Sequence, residues 1–192
     1  PTEFLNKISY EQFEEFLESL DEEKKTWSLD LQTWKNNRQF FTAVSEDGNI
    51  CLLNDNDEVV GLFSSCSETP IRSTFPDITV MGLIYSYVVK KEYQKNNFAS
   101  MGLSDLIQFK NVQSKHYCTL KDNPRIDVNI HKARTHTYNL GSRFLLKKLG
   151  FSSIHKHKEQ IIYYKVYDLI NDKYINIESM YDSDLFGGEI YD

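Results

Sequence analysis

The stretch Val88-Val89-Lys90-Lys91-Glu92-Tyr93-Gln94-Lys95-Asn96-Asn97-Phe98-Ala99 holds the residues whose types and order best fit a chemical task. An apolar, β-branched run passes into a polar turn, and the turn opens a segment with helical spacing of apolar residues. A strand that feeds a helix in this way aims the free backbone N–H groups of the first helical turn at one place. The helix dipole adds positive potential there. The chemistry that follows is anion binding, suited to a pyrophosphate. An ordinary strand-to-helix loop uses the same residue types, so this stretch alone leaves both readings open.

Further candidates come later in the chain. In residues 125–131, Ile126, Val128 and Ile130 alternate with Asp127, Asn129 and His131. A strand there puts Asp127 and His131 on its polar side. Either could accept a proton, directly or through water, and an unperturbed His titrates near neutrality. Tyr138 offers a phenolic proton, and Asn139 an amide that both donates and accepts. Each has a plainer use as well: His131 as a surface-facing strand residue, Tyr138 as a half-buried aromatic. His155-Lys156-His157 has the look of a metal pair, but no third ligand accompanies it and a solvated loop explains it as well. No metal site is expected.

The elements that must position these residues are legible from patterning. Ser9 and Gln12 form a capping box, and Phe13, Phe16, Leu17 and Leu20 then share one helical face. Residues 3–8 read as a short edge strand. Residues 21–36 lean towards helix. Three strand-like runs follow, at 40–45, 50–53 and 59–66, with turns at Asp47-Gly48 and at residues 54–57; an antiparallel meander is the natural arrangement. Residues 68–77 read as a surface loop. Residues 79–89, rich in Val, Ile and Tyr, predict a long strand. The polar segment 90–97 leads into a helix carrying Phe98, Met101, Leu103, Leu106, Ile107 and Phe109. A helix over about 137–148 ends at Gly150, and a strand over 161–169 follows. Residues 1–170 read as one domain and 171–192 as an acidic extension, its end loosely held or partner-dependent.

Composition bounds the function classes. The chain has 192 residues, 40% of them hydrophobic, which is enough for one sizeable core. Its net charge of -6 gives no general attraction to phosphate backbones, so nucleic acid is not an expected partner. A local basic patch from Lys147, Lys148, Lys156, Lys158, His136, His155 and His157 is allowed, although a solvated helix face and loop explain these residues as well. Three widely spaced cysteines suggest no disulfide framework and a reducing compartment, so the expected location is cytoplasmic, away from membranes. Abundant Asn, Lys, Ile and Tyr point to an AT-rich genome, of a phage or a low-GC bacterium.

Two motifs resemble those of the GNAT superfamily of N-acetyltransferases. The first stretch is similar to the family's pyrophosphate loop, V-x-x-x-x-R/Q-x-x-G-x-G/A. Val89 falls on the Val, Gln94 on the R/Q and Ala99 on the last small residue; Asn97 stands where Gly is usual. Asn is among the few residues that enter the left-handed region readily. Asn139-Leu140-Gly141-Ser142-Arg143-Phe144-Leu145-Leu146-Lys147-Lys148-Leu149-Gly150-Phe151 resembles N-x-x-A-x-x-L-Y-x-K-x-G-F, matching at Asn139, Leu145, Lys148, Gly150 and Phe151.

The resemblance implies an α/β (α+β) fold: a mixed, mostly antiparallel sheet of about seven strands, splayed between strands 4 and 5, with helices on both faces. It implies binding of acetyl-CoA or another acyl-CoA. Tyr87, Val88 and Val89 would hold the pantetheine arm, Gln94, Lys95, Asn96, Asn97, Phe98 and Ala99 the pyrophosphate, and Asn139 the pantetheine region. The implied reaction is acyl transfer to a primary amine on a small molecule or a protein; a homodimer stays open. The sequence departs from the family at the acid, where Leu146 replaces Tyr, and at the base, where Leu83 stands on the fourth strand. Tyr138 as acid and His131 or Asp127 as base are the substitutes. A GNAT-fold protein that binds without turnover is the alternative.

Overall fold

Ser9 sets the first helix. Its hydroxyl accepts from the Gln12 backbone N–H at 3.1 Å, and the Gln12 side chain accepts from the Ser9 N–H at 3.0 Å. This reciprocal box starts α1 (Tyr10–Ser19) where the sequence placed it. The predicted apolar face, Phe13, Phe16, Leu17 and Leu20, is buried. Each such side chain removed from water contributes about 1.5–3 kcal/mol.

The computed structural model describes residues 3–5, 8–20, 49–67, 71–72, 79–119 and 126–176. The expected helix over 21–36, strand over 40–45 and turn at Asp47-Gly48 lie outside the described residues, as do residues 177–192. The described strands are β1 (Glu3–Leu5), β2 (Asn49–Leu53), β3 (Val59–Ser67), β4 (Ile71–Arg72), β5 (Thr79–Val89), β6 (Val128–His136), β7 (Ser152–His157), β8 (Gln160–Asp168) and β9 (Lys173–Ile175). Besides α1 there are α2 (Phe98–Thr119) and α3 (Leu140–Lys148). The result is the expected α/β class, a mostly antiparallel open sheet with three α-helices among the described residues. None of the described helices is long and apolar enough to cross a membrane.

The chain forms two compact units, and the division falls inside β5 and inside α2. The first unit comprises Pro1–Cys66 and Tyr85–Leu106; the second comprises Ser67–Ile84 and Ile107–Asp192.

In the first unit the strand order is β1-β2-β3 followed by the end of β5. β1–β2 and β2–β3 are antiparallel, with a bulge at Leu52/Leu53. Phe13, Phe16 and Leu17 of α1 and its cap Leu20 pack with Cys51, Leu53, Val59, Leu62 and Val88. Burial pushes the Cys51 thiol up to about 12, so it serves as packing and not as a nucleophile. Leu62 meets α1. Its neighbour Phe63 points to the opposite face and lies where a Cβ on Gly102 of α2 would stand, with ring atoms within 2.5–2.7 Å. Helices therefore cover both faces of this unit.

In the second unit the order runs from the start of β5 through β6 and β8 to β7. β6–β8, β7–β8 and β8–β9 are antiparallel. The segment expected as loop over 68–77 contributes the two-residue β4, paired with β5. The strand expected over 125–131 runs from Val128 to His136 instead, because Asp127 is used to join strands. Its backbone N–H donates to Thr79 O (2.9 Å), its carbonyl accepts from Leu169 (2.9 Å) and its carboxylate accepts from the Thr79 N–H (3.0 Å). The sheet also continues past residue 170, since β9 pairs with β8.

Gly102→Ala tests the packing of α2. Alanine favours a helix by about 1 kcal/mol, but the overlap with a fully buried ring costs about 1–3 kcal/mol, and the overlap should win. A lower melting temperature is expected in calorimetry; an unchanged or higher one would show that Phe63 can move aside.

Candidate functional site

The first unit carries the elbow between β5 and α2. Val88 and Val89 are buried, and Tyr87 is half-buried. The chain leaves β5 at Lys90, whose N–H donates to Val60 O at 2.8 Å. Lys91–Tyr93 form one turn of 3-10 helix. Tyr93 Oη then accepts from Asn54 Nδ2 at 3.3 Å, and Asn54 Oδ1 accepts from the Asn56 and Glu58 N–H groups. The turn between β2 and β3 thus holds the elbow from one side. Gln94 closes it from within: its Nε2 donates to Val89 O at 3.0 Å. Sequence reasoning placed Gln94 correctly in the loop but missed that its side chain ties the loop to the strand end, and missed Asn54 and Tyr93 altogether. No local signal links residues so far apart in sequence.

Backbone shape is the elbow's main feature. Lys95 and Asn97 both have positive φ, 66° and 62°. Asn97 takes the left-handed conformation that Gly adopts most readily. Lys95 does so too, which its residue type did not announce. Left-handed residues interspersed along a turn point successive N–H groups into a common concavity that suits an anion. Asn97 O then accepts from Met101 N at 3.0 Å, so α2 begins at Phe98. Helix geometry leaves the N–H groups of Phe98, Ala99 and Ser100 outside the helical ladder. Lys95, Asn96 and Asn97 are exposed. Lys90, Lys91 and Lys95 outnumber Glu92 here, so the elbow is locally positive in an acidic chain.

The second unit holds the remaining candidates, and it separates them by role. His131 is fully buried, which corrects its expected place on a solvated strand side. Its Nε2 lies 2.9 Å from Asn111 Oδ1. Asn111 Oδ1 also accepts from Asn129 Nδ2 at 3.0 Å, and Asn129 Oδ1 accepts from Ser114 Oγ at 3.0 Å. α2 covers the polar side of β6 and turns it into a closed network. Desolvation, with a smaller effect of the Lys165 charge, lowers the His131 pKa to about 3. Such an imidazole is neutral and a very weak base. Asp127 is buried and occupied as the strand joint already described.

Tyr138 and Asn139 lie at the start of α3. The helix begins at Leu140 and not near 137, because Asn139 Oδ1 accepts from Ser142 N at 3.0 Å and caps it. Tyr138 is exposed, not half-buried. Its ring stacks on His136 at 5.1 Å, and His136 Nε2 lies 3.0 Å from Glu159 Oε2. Glu159 fixes that imidazole, and sequence reasoning had no signal for it. Leu146, which the motif resemblance sets against an acid, is fully buried. Gly150 has φ 83° and ends α3 as predicted, followed by buried Phe151. Leu83, which the resemblance sets against a base, is buried too, and Tyr85 fills the core.

A search of solved structures settles what this arrangement is similar to. The chain has the GNAT fold. One similar structure is a GNAT-family acetyltransferase from Staphylococcus aureus Mu50: TM-score 0.58, 15% identity, covering 85% of this chain and 98% of that one. A ribosomal-protein-S5-alanine acetyltransferase from Vibrio fischeri gives TM-score 0.60 at 13% identity, with 90% and 95% covered. A chain of the NatC complex bound to Gag peptide and CoA gives 0.55 at 12%, with 87% and 98% covered. No protein-family model and no curated protein sequence matches. At these identities the likeness lies in the GNAT fold, while the elbow and the α3 start rest on this chain's own geometry.

The buried His131 has a measurable consequence. Its folded pKa lies below the unfolded value, so the unfolded chain binds its proton first as pH falls. Stability contributed by the neutral form is complete above about pH 6.5 and is lost as pH falls towards 3. His131→Gln keeps a donor for Asn111 without a titrating ring. Its unfolding free energy should fall less steeply over that window, by about one proton. Identical slopes in urea titrations at several pH values would refute the assignment.

Proposed function

We propose that this protein binds an acyl-CoA and transfers its acyl group to a primary amine. The observation that carries the reading is the elbow from Val89 to Ala99, where two positive-φ residues and a helix start present backbone N–H groups beside three lysines. Those features fit a diphosphate. The fold shared with acetyltransferases supports the same reading. In it Gln94, Lys95, Asn96, Asn97, Phe98 and Ala99 hold the pyrophosphate. The backbone of Tyr87, Val88 and Val89 lies along the pantetheine arm. One acceptor there, Val89 O, is already engaged by Gln94. The Asn139 amide keeps its Nδ2 donors for a ligand while Oδ1 caps α3.

The bound thioester would supply an activated acyl group. The chain's own residues would place the acceptor amine, take its proton and return one to the leaving sulfur. Tyr138 is the candidate for the last task, because it is exposed and carries a phenol. His131 and Asp127 do not fit as the proton acceptor, since both are buried in structural bonds; water fits better. The acceptor is an amine on a small molecule or a protein. A cytoplasmic location accords with this use of CoA.

A second reading is a GNAT-fold protein that binds CoA without turnover. Leu146 and Leu83, both buried where the family places acid and base, favour it. Thermal-shift titration with acetyl-CoA, followed by thiol release across an amine panel, separates the two: binding with release supports the enzyme, binding alone the second.

Asn97→Pro forbids the positive φ and should weaken coenzyme A binding at least about tenfold, whereas Asn97→Gly should retain it. Equal affinity of wild type and Asn97→Pro by calorimetry would exclude the elbow as the site. Where turnover is found, Tyr138→Phe should lower kcat roughly a hundredfold with unchanged coenzyme A affinity. Full turnover would remove Tyr138 from the mechanism.

A further inference from the structure

The charge of this acidic chain is unevenly placed. Residues 128–167 hold eight Lys or Arg against one acid, Glu159, a balance of +7 where the whole chain has -6. They run through β6, α3, β7 and β8, all in the second unit. A surface of one sign on a chain of the other marks a place for an anionic partner.

α3 gives this surface an apolar centre. Tyr138 just before it is 68% exposed, Leu140 69% and Phe144 73%. Leu140 and Phe144 stand four residues apart on one helical face, which exposed Lys147 and Lys148 continue; buried Leu146 marks the opposite face. At the other end of the patch the Glu159 carbonyl accepts from Thr137 N at 2.7 Å, which brings the β7–β8 turn and its exposed Lys158 beside Tyr138. Exposed Lys156 pairs with Ile161 and so shares the sheet face of Lys165, whose Nζ donates to Leu149 O at the end of α3. The one acid is engaged, its Oε2 3.0 Å from His136 Nε2. Lysines thus border both ends of an apolar patch.

We infer that this surface docks on an anionic membrane, with Leu140 and Phe144 in the boundary between headgroups and acyl chains and the lysines around them facing lipid phosphates. Side chains this exposed project from the protein and suit a partner that yields to them. Tyrosine, as at Tyr138, favours the same boundary. Nucleic-acid recognition draws on Arg forks and on open aromatic faces. Here Lys outnumbers Arg six to two over residues 128–167, Arg143 is held by Thr137 O at 2.9 Å, and the Tyr138 ring is stacked on His136. Docking on a membrane needs no helix that crosses it, and the inference does not depend on the cofactor reading.

The test sediments the full chain with sucrose-loaded vesicles of phosphatidylcholine alone, or of phosphatidylcholine mixed equally with phosphatidylglycerol. Binding to the mixed vesicles only is expected, and it should fall as salt is raised. Leu140→Ser together with Phe144→Ser should weaken it about tenfold or more, and Lys147→Gln together with Lys158→Gln roughly twentyfold. All four side chains are exposed, and an unchanged melting temperature checks that each variant folds. The same proteins are titrated with a single-stranded RNA oligonucleotide. No binding to the mixed vesicles, equal binding to both kinds, binding that either double variant retains, or tighter binding to the oligonucleotide would each overturn the inference.

Discussion

The contact between Phe63 and the missing side chain of Gly102 governs the first unit. A phenyl ring fully buried on β3 occupies the volume that any Cβ on α2 would need. The helix can approach the strand only at a glycine, and this fixes where α2 begins relative to β3. The elbow then has little freedom. Lys90 is bonded to Val60 on the same strand, and Tyr93 meets Asn54 in the turn that precedes it. Between these anchors and Phe98 the backbone completes its turn with left-handed residues at Lys95 and Asn97. Non-glycine residues in that region each cost about 1 kcal/mol or more. Packing on both sides sustains that cost, and the reward is a concavity of backbone donors.

The second unit is organised by polar groups that are buried and satisfied. Asn111, Ser114, Asn129 and His131 form a chain of hydrogen bonds where α2 covers β6. Loss of any one partner would leave another buried and unpaired, at a cost of about 1–3 kcal/mol. Lys165 performs a related service at the end of α3. Its ammonium bonds Leu149 O and lies over the Tyr174 ring, and partial burial lowers its pKa. Gly150 is called for by its φ of 83°, since a Cβ there would only touch Lys165 at 3.7 Å, an ordinary contact.

This division bears on chemistry. The residues that looked most like a base in the sequence, His131 and Asp127, are the ones the fold uses as structure. The aromatic at the start of α3, Tyr138, stacked on a histidine that a glutamate orients, stays exposed instead.

The sequence by itself determined the local elements: the capping box at Ser9, the long strand at 79–89, the elbow that follows it, the left-handed Asn97, and the Gly150 stop before Phe151. Each is a short-range effect, written in residues no more than a few positions apart. Tertiary structure decided the rest. The alternation at 126–131 correctly gave two faces to the strand, but it could not tell that α2 covers the polar one, because cover comes from residues up to twenty positions away. That cover converts His131 from a candidate base into a neutral, closed donor. The positive φ of Lys95 and the bond between Asn54 and Tyr93 were equally illegible, since both arise from the closing of β2, β3 and α2 around the elbow. Periodicity reports which side chains share a face; only packing reports whether that face meets water.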